Sequence, residues 1–175
     1  MMRSCTGSWL ALFAVLFVAA CANPMPSFLH TRHRENLSID PQELKHLQFY
    51  ISTQVLAKDL STPGSEGVII VPQLTRGMAT EVGPSWLRVR FSEGGSGVVF
   101  VAVVTQGDSA YWLATEIEGQ QGFHKLKDLP KKILLNQGTA YELIYGDNAR
   151  LLISEKDLSK LIEQRRHLEG VKASD

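Results

Sequence analysis

The sequence predicts a mainly β protein, a small antiparallel barrel or sandwich of about seven strands with a short N-terminal helix and a C-terminal helix. Three observations carry that expectation. Apolar and polar residues alternate with the period of two that a half-buried strand requires, over Leu47–Val55 and again over Trp86–Phe91. A β-branched run, Val98–Val104, follows directly on a Gly-rich turn. Between Leu47 and Ile153 there are none of the long helical patterns that alternate with strands in a βαβ protein.

The elements follow in order. Asp40-Pro41-Gln42-Glu43 is a helix start, with Asp40 as N-cap, Pro41 in the first turn and Glu43 placed to close a capping box, and the helix runs to about His46. Leu47, Phe49, Ile51 and Val55 then alternate with Gln48, Tyr50, Ser52 and Gln54 as one strand. Ser61-Thr62-Pro63-Gly64-Ser65 is a loop, and Val68–Val71 is a compact apolar run suited to a central strand, which Pro72 either ends or places at an edge. Leu87, Val89 and Phe91 form the inward face of a strand that pairs through the Glu93–Gly97 turn with Val98–Val104.

Thr105–Asp108 turns the chain into a strand at Tyr111–Thr115. Tyr141–Tyr145 and Arg150–Ile153 are expected to form a second hairpin, because Gly146-Asp147-Asn148 between them accept positive φ. A terminal helix over about 155–168 starts at the capping Ser154 and carries Asp157 in its first turn. Its apolar stripe of Leu158, Leu161 and Ile162 should dock on the sheet, with Arg165 and Arg166 in a basic last turn.

The N-terminus has a different character. Arg3 precedes an apolar stretch from Trp9 to Ala20 with small residues at its end, the three parts of a secretory signal. A dozen residues rise only about 18 Å as a helix, too little to cross a hydrocarbon core of about 30 Å. Val18-Ala19-Ala20-Cys21 resembles the lipobox of bacterial lipoproteins, with Val18 where leucine is commoner. That resemblance is confined to residues 1–21, and it implies removal of residues 1–20 and acyl chains on Cys21, which begins the mature protein.

Two or more acyl chains make membrane attachment effectively permanent. Ala22 is not the aspartate that resembles an inner-membrane retention signal, so the resemblance implies delivery to the outer membrane, facing the periplasm. In a source with one membrane the place would be the outer face of the cytoplasmic membrane. Residues 21–37, with Pro24, Pro26 and the mixed run His30-Thr31-Arg32-His33-Arg34-Glu35, read as a flexible tether, and residues 38–175 as a single globular domain.

Cysteine count and charge narrow the function classes. Cys5 lies in the segment to be removed, so the mature chain has one cysteine and no internal disulfide, and an apolar core must hold the fold. Without residues 1–20 the chain carries 17 basic and 18 acidic residues, a net charge of −1, which argues against bulk attraction to nucleic acid. No Gly-x-Ser-x-Gly turn and no metal-ligand motif occurs, and Gly94-Gly95-Ser96-Gly97 lacks the lysine and helix of a phosphate loop, so no catalytic residue, metal or cofactor is assigned.

Two surface constellations stand out. Trp86, Arg88 and Arg90 share a strand face and have the composition of a protein-binding hot spot. Lys125, Lys127, Lys131 and Lys132 around Asp128 and Pro130 form a basic loop that is either a solvated turn or a contact for membrane phosphates or an acidic partner. The expectation is a membrane-anchored envelope lipoprotein acting as a non-catalytic interaction or scaffold module for an envelope protein partner, gripping through an exposed strand edge or the Trp86 face. The alternative is an envelope enzyme or cell-wall glycan binder whose site assembles from Tyr111, Trp112, Glu116 and His124.

Overall fold

A computed structural model describes residues 25–172 apart from 62–66, 94, 96, 105–108 and 137, with side chains described to residue 166. In chain order the elements are β1 (Ser27–Phe28), α1 (Thr31–Asn36), α2 (Pro41–His46), β2 (Gln48–Ile51), β3 (Val55–Asp59), β4 (Val68–Val71), β5 (Arg76–Val82) and β6 (Trp86–Arg90). They continue as β7 (Val98–Ala102), β8 (Tyr111–Glu116), β9 (Phe123–Lys125), a single 3-10 turn (Leu126–Asp128), β10 (Ile133–Asn136), β11 (Thr139–Tyr145), β12 (Leu151–Ile153) and α3 (Glu155–Lys172). The protein is mainly β, as the alternation requires.

The strands make two antiparallel sheets. One has eight strands in the order β1-β12-β2-β5-β6-β7-β8-β9, and the other has four in the order β10-β11-β3-β4. The larger sheet coils until its ends approach. His30 bridges Ala110 and Arg150 bridges Trp112, and the Tyr111 and Leu113 amides donate to Leu29 O at 3.2 Å and Ala149 O at 2.9 Å. These contacts are isolated rather than a continuous ladder, so the arrangement stays open and sandwich-like.

Strand alternation sends one residue in two to the interior. Leu87, Phe100 and Leu113 lie opposite one another across β6, β7 and β8 and are fully buried, joined in the core by Phe49, Ile51, Leu151 and Ile153. The smaller sheet adds Val55, Ala57, Leu134 and Leu143. The β6–β7 hairpin forms in antiparallel register, as its turn predicts.

The helices close the core from outside. Asp40 Oδ1 accepts from the Gln42 and Glu43 amides at 2.7 and 2.8 Å, and Glu43 Oε2 accepts from Asp40 N at 2.9 Å, the expected capping box. Leu44 of α2 and Leu158 of α3 enter the core, and Leu161 packs against it. Arg165 ties the two helices: its Nε donates to Glu43 Oε1 at 2.8 Å and its Nη2 to Ser38 O at 3.0 Å. That guanidinium holds the Glu43 carboxyl below the usual carboxylate range.

Several expectations need correction. The strand expected over Leu47–Val55 bends at Ser52–Thr53, and its halves, β2 and β3, enter different sheets. The hairpin expected around Gly146-Asp147-Asn148 does not form either, because β11 pairs with β10 and β3 whereas β12 pairs with β1 and β2. Both departures have one cause. The chain passes between the sheets twice at a shared corner, where the Ser52 amide donates to Arg150 O at 2.9 Å and the Arg150 amide to Ser52 Oγ at 2.8 Å.

Val68–Val71 is an edge strand rather than a central one, the outcome Pro72 allowed. The tether expected through residue 37 is already structured from Ser27. Leu29 is fully buried, and Arg34 of α1 donates from Nη1 to Gly83 O at 3.1 Å, Pro84 O at 3.0 Å and Tyr111 Oη at 2.9 Å. A polar run that reads as solvated in sequence is docked by this guanidinium together with the His30–Ala110 bridge and the Thr31 amide, which donates to Ser109 O at 3.0 Å.

The start of α1 is expected to respond to pH. His30 is its N-cap, and the His30 amide donates to His33 Nδ1 at 3.3 Å, which requires a neutral imidazole. Burial, then the neighbouring His30 and Arg32, lowers the His33 pKa below its ordinary 6.5. The unfolded chain therefore binds this proton at higher pH than the folded chain does, and the stability it contributes is present above about 6.5 and lost as pH falls through the folded value. Thermal unfolding should shift to lower temperature between pH 7 and 5, and His33→Gln should flatten that slope. An unchanged slope in the variant would remove His33 from the account.

Candidate functional site

Cys21, the expected lipidation site, lies outside the described residues, which begin at Met25. The other expected site residues lie on the outer face of the large sheet. Trp86, Val101 and Trp112 are in one register row, and Arg88, Val99, Ala114 and Lys125 in the next. The shared face of Trp86, Arg88 and Arg90 is therefore real, but its members are already engaged to different degrees. Trp86 packs against Phe123 with ring centroids 4.9 Å apart, and a Cβ on Gly83 would fall 2.1 Å from its indole nitrogen. Arg88 Nε lies 3.3 Å from Glu81 Oε1, its cross-strand partner. Arg90 alone is exposed, and it lines a separate recess with Gln48, Arg76, Met78 and Glu93.

The basic loop is likewise absorbed by the fold. Lys125 pairs with Asp128 at 3.0 Å, and Lys132 pairs with Asp147 at 3.2 Å while donating to the Leu126 and Lys127 carbonyls. Lys125, Lys127 and Arg150 surround the Trp112 ring at 4.9, 5.1 and 3.8 Å, and Arg150 also lies 4.9 Å from Phe28. Stacked cations cover an indole that would otherwise be exposed on the outer face. Lys131 is left exposed.

The residues of the alternative site do not converge. Tyr111 and Trp112 are adjacent on β8 and so point to opposite faces. Tyr111 is buried with its hydroxyl on Arg34, and burial raises its pKa despite that guanidinium. His124 faces Thr115 across the β8–β9 ladder, its Nε2 enclosed without a hydrogen-bond partner among the described residues, and Glu116 is exposed at the end of β8. Among the described residues no three His, Cys, Asp or Glu side chains are placed to hold a metal ion, and no helix is long and apolar enough to cross a membrane.

Two surfaces remain open. The first is the outer edge of β4. In the β3–β4 ladder the Asp59 amide donates to Gly67 O at 2.9 Å, and the register pairs Ala57 with Ile69 and Val55 with Val71. Alternate residues of an antiparallel pair bond across it, so Gly67, Ile69 and Val71 face β3 while Val68 and Ile70 turn their N–H and C=O groups outward. Their side chains are exposed as well: Val68 is 46%, Ile69 41% and Ile70 57% accessible. Leu60, Ile144 and Tyr145 add further exposed apolar surface on neighbouring elements of this sheet.

The second open surface is a groove of about 740 Å3 across β2 and β5, bounded by the start of α3 and by Met25 and Pro26. The sequence signals for both surfaces were partial. Pro72 marked β4 as a possible edge, and Gly77 concealed β5. A Cβ at Gly77 would sit 2.7 Å from the Phe91 and Val89 side chains, so the interior position of β5 needs glycine, which reads as a strand breaker.

The fold and surfaces define a class, a mainly β protein of two antiparallel sheets with a terminal helix and an unprotected strand edge. Beyond that class the comparisons add nothing, since no family model, no curated protein and no solved structure matches the chain.

Proposed function

We propose that this chain is a membrane-anchored envelope lipoprotein that acts as a non-catalytic interaction module, capturing an extended segment of a partner protein as an added strand on β4. The observation that carries the reading is the β4 edge: four consecutive β-branched apolar residues, with outward backbone donors and acceptors at Val68 and Ile70. Such an edge is an aggregation hazard that proteins ordinarily blunt with lysine, proline or a bulge. Within Val68–Val71 none of these is present. A partner strand would satisfy the backbone and cover the apolar side chains, with alternate residues reading alternate faces. The lipobox at Cys21 supplies the address and the attachment, and the Trp86 face, already packed and paired, is the weaker candidate grip.

Ile70→Pro is the selective test. It removes an outward N–H while leaving the β3–β4 hydrogen bonds of Ile69 and Val71 in place. Photo-cross-linking from position 68 in intact envelopes should give a defined adduct whose yield falls at least tenfold in Ile70→Pro, with the melting temperature within a few degrees of wild type. Retention of the adduct in Ile70→Pro would overturn strand addition. Cells fed a labelled fatty acid should yield a labelled wild-type protein and an unlabelled Cys21→Ser variant.

A further inference from the structure

We propose that the groove over β2 and β5 is a lipid-docking surface, placing Arg76, Arg90, Lys156 and Lys160 against anionic phospholipid headgroups and Met25, Leu74 and Met78 against the apolar layer beneath. The inference rests on the anchor reading above and adds the orientation of the domain on its membrane. Three independent features point to this occupant.

The first is amphipathic composition. Met25, Leu74 and Met78 are 83%, 45% and 40% exposed, and all three line the same groove. Exposed apolar side chains ringed by long cationic ones suit a bilayer interface, where the stems lie against hydrocarbon and the charged ends reach the phosphates.

The second is charge. Lys156 and Lys160 of α3 line the groove together with Arg76 of β5, and Arg90 continues the basic surface beside Met78, its register partner. Asp157 is the single carboxylate lining the groove, 4.0 Å from Lys160, and Glu93 is the one carboxylate lining the adjoining recess beside Arg76 and Arg90. Arg76, Arg90 and Lys156 have no carboxylate partner among the described residues, in contrast to Lys125 and Lys132 in the neutralised basic loop. Three cations without a carboxylate partner among the described residues thus lie close together on this face.

The third is chain geometry. Met25, on the rim of the groove, is the first described residue, and Cys21 lies four residues before it. Four residues span at most about 14 Å when fully extended. Acyl chains on Cys21 would hold this rim, rather than a distant face, close to the bilayer. The structured segment from Ser27 onward, which replaces the longer expected tether, makes this approach obligatory.

The test uses the processed chain from position 21 carrying Cys21→Ser, which has no acyl chain, in co-sedimentation with phosphatidylcholine vesicles containing or lacking phosphatidylglycerol. Binding should require the anionic lipid and weaken with salt. Arg76→Glu combined with Lys156→Glu should reduce partitioning more than tenfold, about fivefold or more for each cation. Met78→Asp should reduce it too, and Lys131→Glu, at an exposed position outside the groove, should leave it unchanged. Equal binding to both lipids, full retention in the double variant, or an equal loss with Lys131→Glu would overturn the proposal. Failure of the anchor reading is separate, read as an absence of fatty-acid label on the wild-type protein.

Discussion

Gly146→Ala is expected to destabilise the protein by roughly 3–5 kcal/mol, a loss of the size reserved for a backbone conflict with no room to relax. Gly146 sits at φ +96°, where an L side chain alone costs about 1–2 kcal/mol. Its Cβ would also fall 2.4 Å from Gln54 O and 3.0 Å from Val55 Cα, so backbone rather than a flexible side chain would have to move. This is the corner where the chain crosses between the sheets, and a shift there would disturb the β3–β11 and β2–β12 pairings together. Gly138→Ala is the matched control, because Gly138 has φ +82° but nothing within 4 Å of its would-be Cβ. Urea unfolding should show about 1 kcal/mol for Gly138→Ala and several times that for Gly146→Ala. Equal losses would show that φ alone, and not the crowded corner, decides the cost.

The second large effect should come from Arg34→Ala, with a loss of about 2–3 kcal/mol from the charge-assisted bonds it removes. One nitrogen serves the Gly83 and Pro84 carbonyls and the Tyr111 hydroxyl, and through them α1 is held against the β5–β6 turn. Amide exchange in Thr31–Asn36 should rise sharply while exchange in the β6–β7 hairpin remains slow. Tyr111→Phe should cost only about 1 kcal/mol, since two of the three acceptors survive. If Arg34→Ala leaves α1 protected, the helix is held by Leu29 and its apolar neighbours, and the guanidinium is incidental.

The functional predictions depend on the same distinction between engaged and open surfaces. Trp86 with two arginines has a composition that invites a partner, yet Phe123, Gly83 and Glu81 already occupy Trp86 and Arg88. Val68–Val71 reads as core material, yet it lies at an edge and Val68, Ile69 and Ile70 are exposed. Composition identifies side chains suited to burial or binding. Whether another part of the same chain has filled that role depends on contacts between residues far apart in sequence, such as Arg34 with Tyr111 and Glu43 with Arg165. Arg90 illustrates the point most directly, since its alternation with Trp86 and Arg88 is correct but its pairing with Met78 places it in a recess beside the groove.

Local chemistry determined much of this protein without reference to tertiary contacts. The period-two alternation established its mainly β class, the Asp40–Glu43 capping box and the Ser154 start fixed two helices, and the Glu93–Gly97 turn set the β6–β7 hairpin. Each signal involves residues a few positions apart, so sequence carries it directly. Tertiary structure alone decided that β2 and β3, and again β11 and β12, part company at the corner around Ser52, Gly146 and Arg150. It alone decided that Gly77 lies inside a strand and that residues from Ser27 pack on the domain. The physical reason is that pairing and burial are settled by which distant segment arrives opposite, a property of the whole folded chain that no short stretch contains.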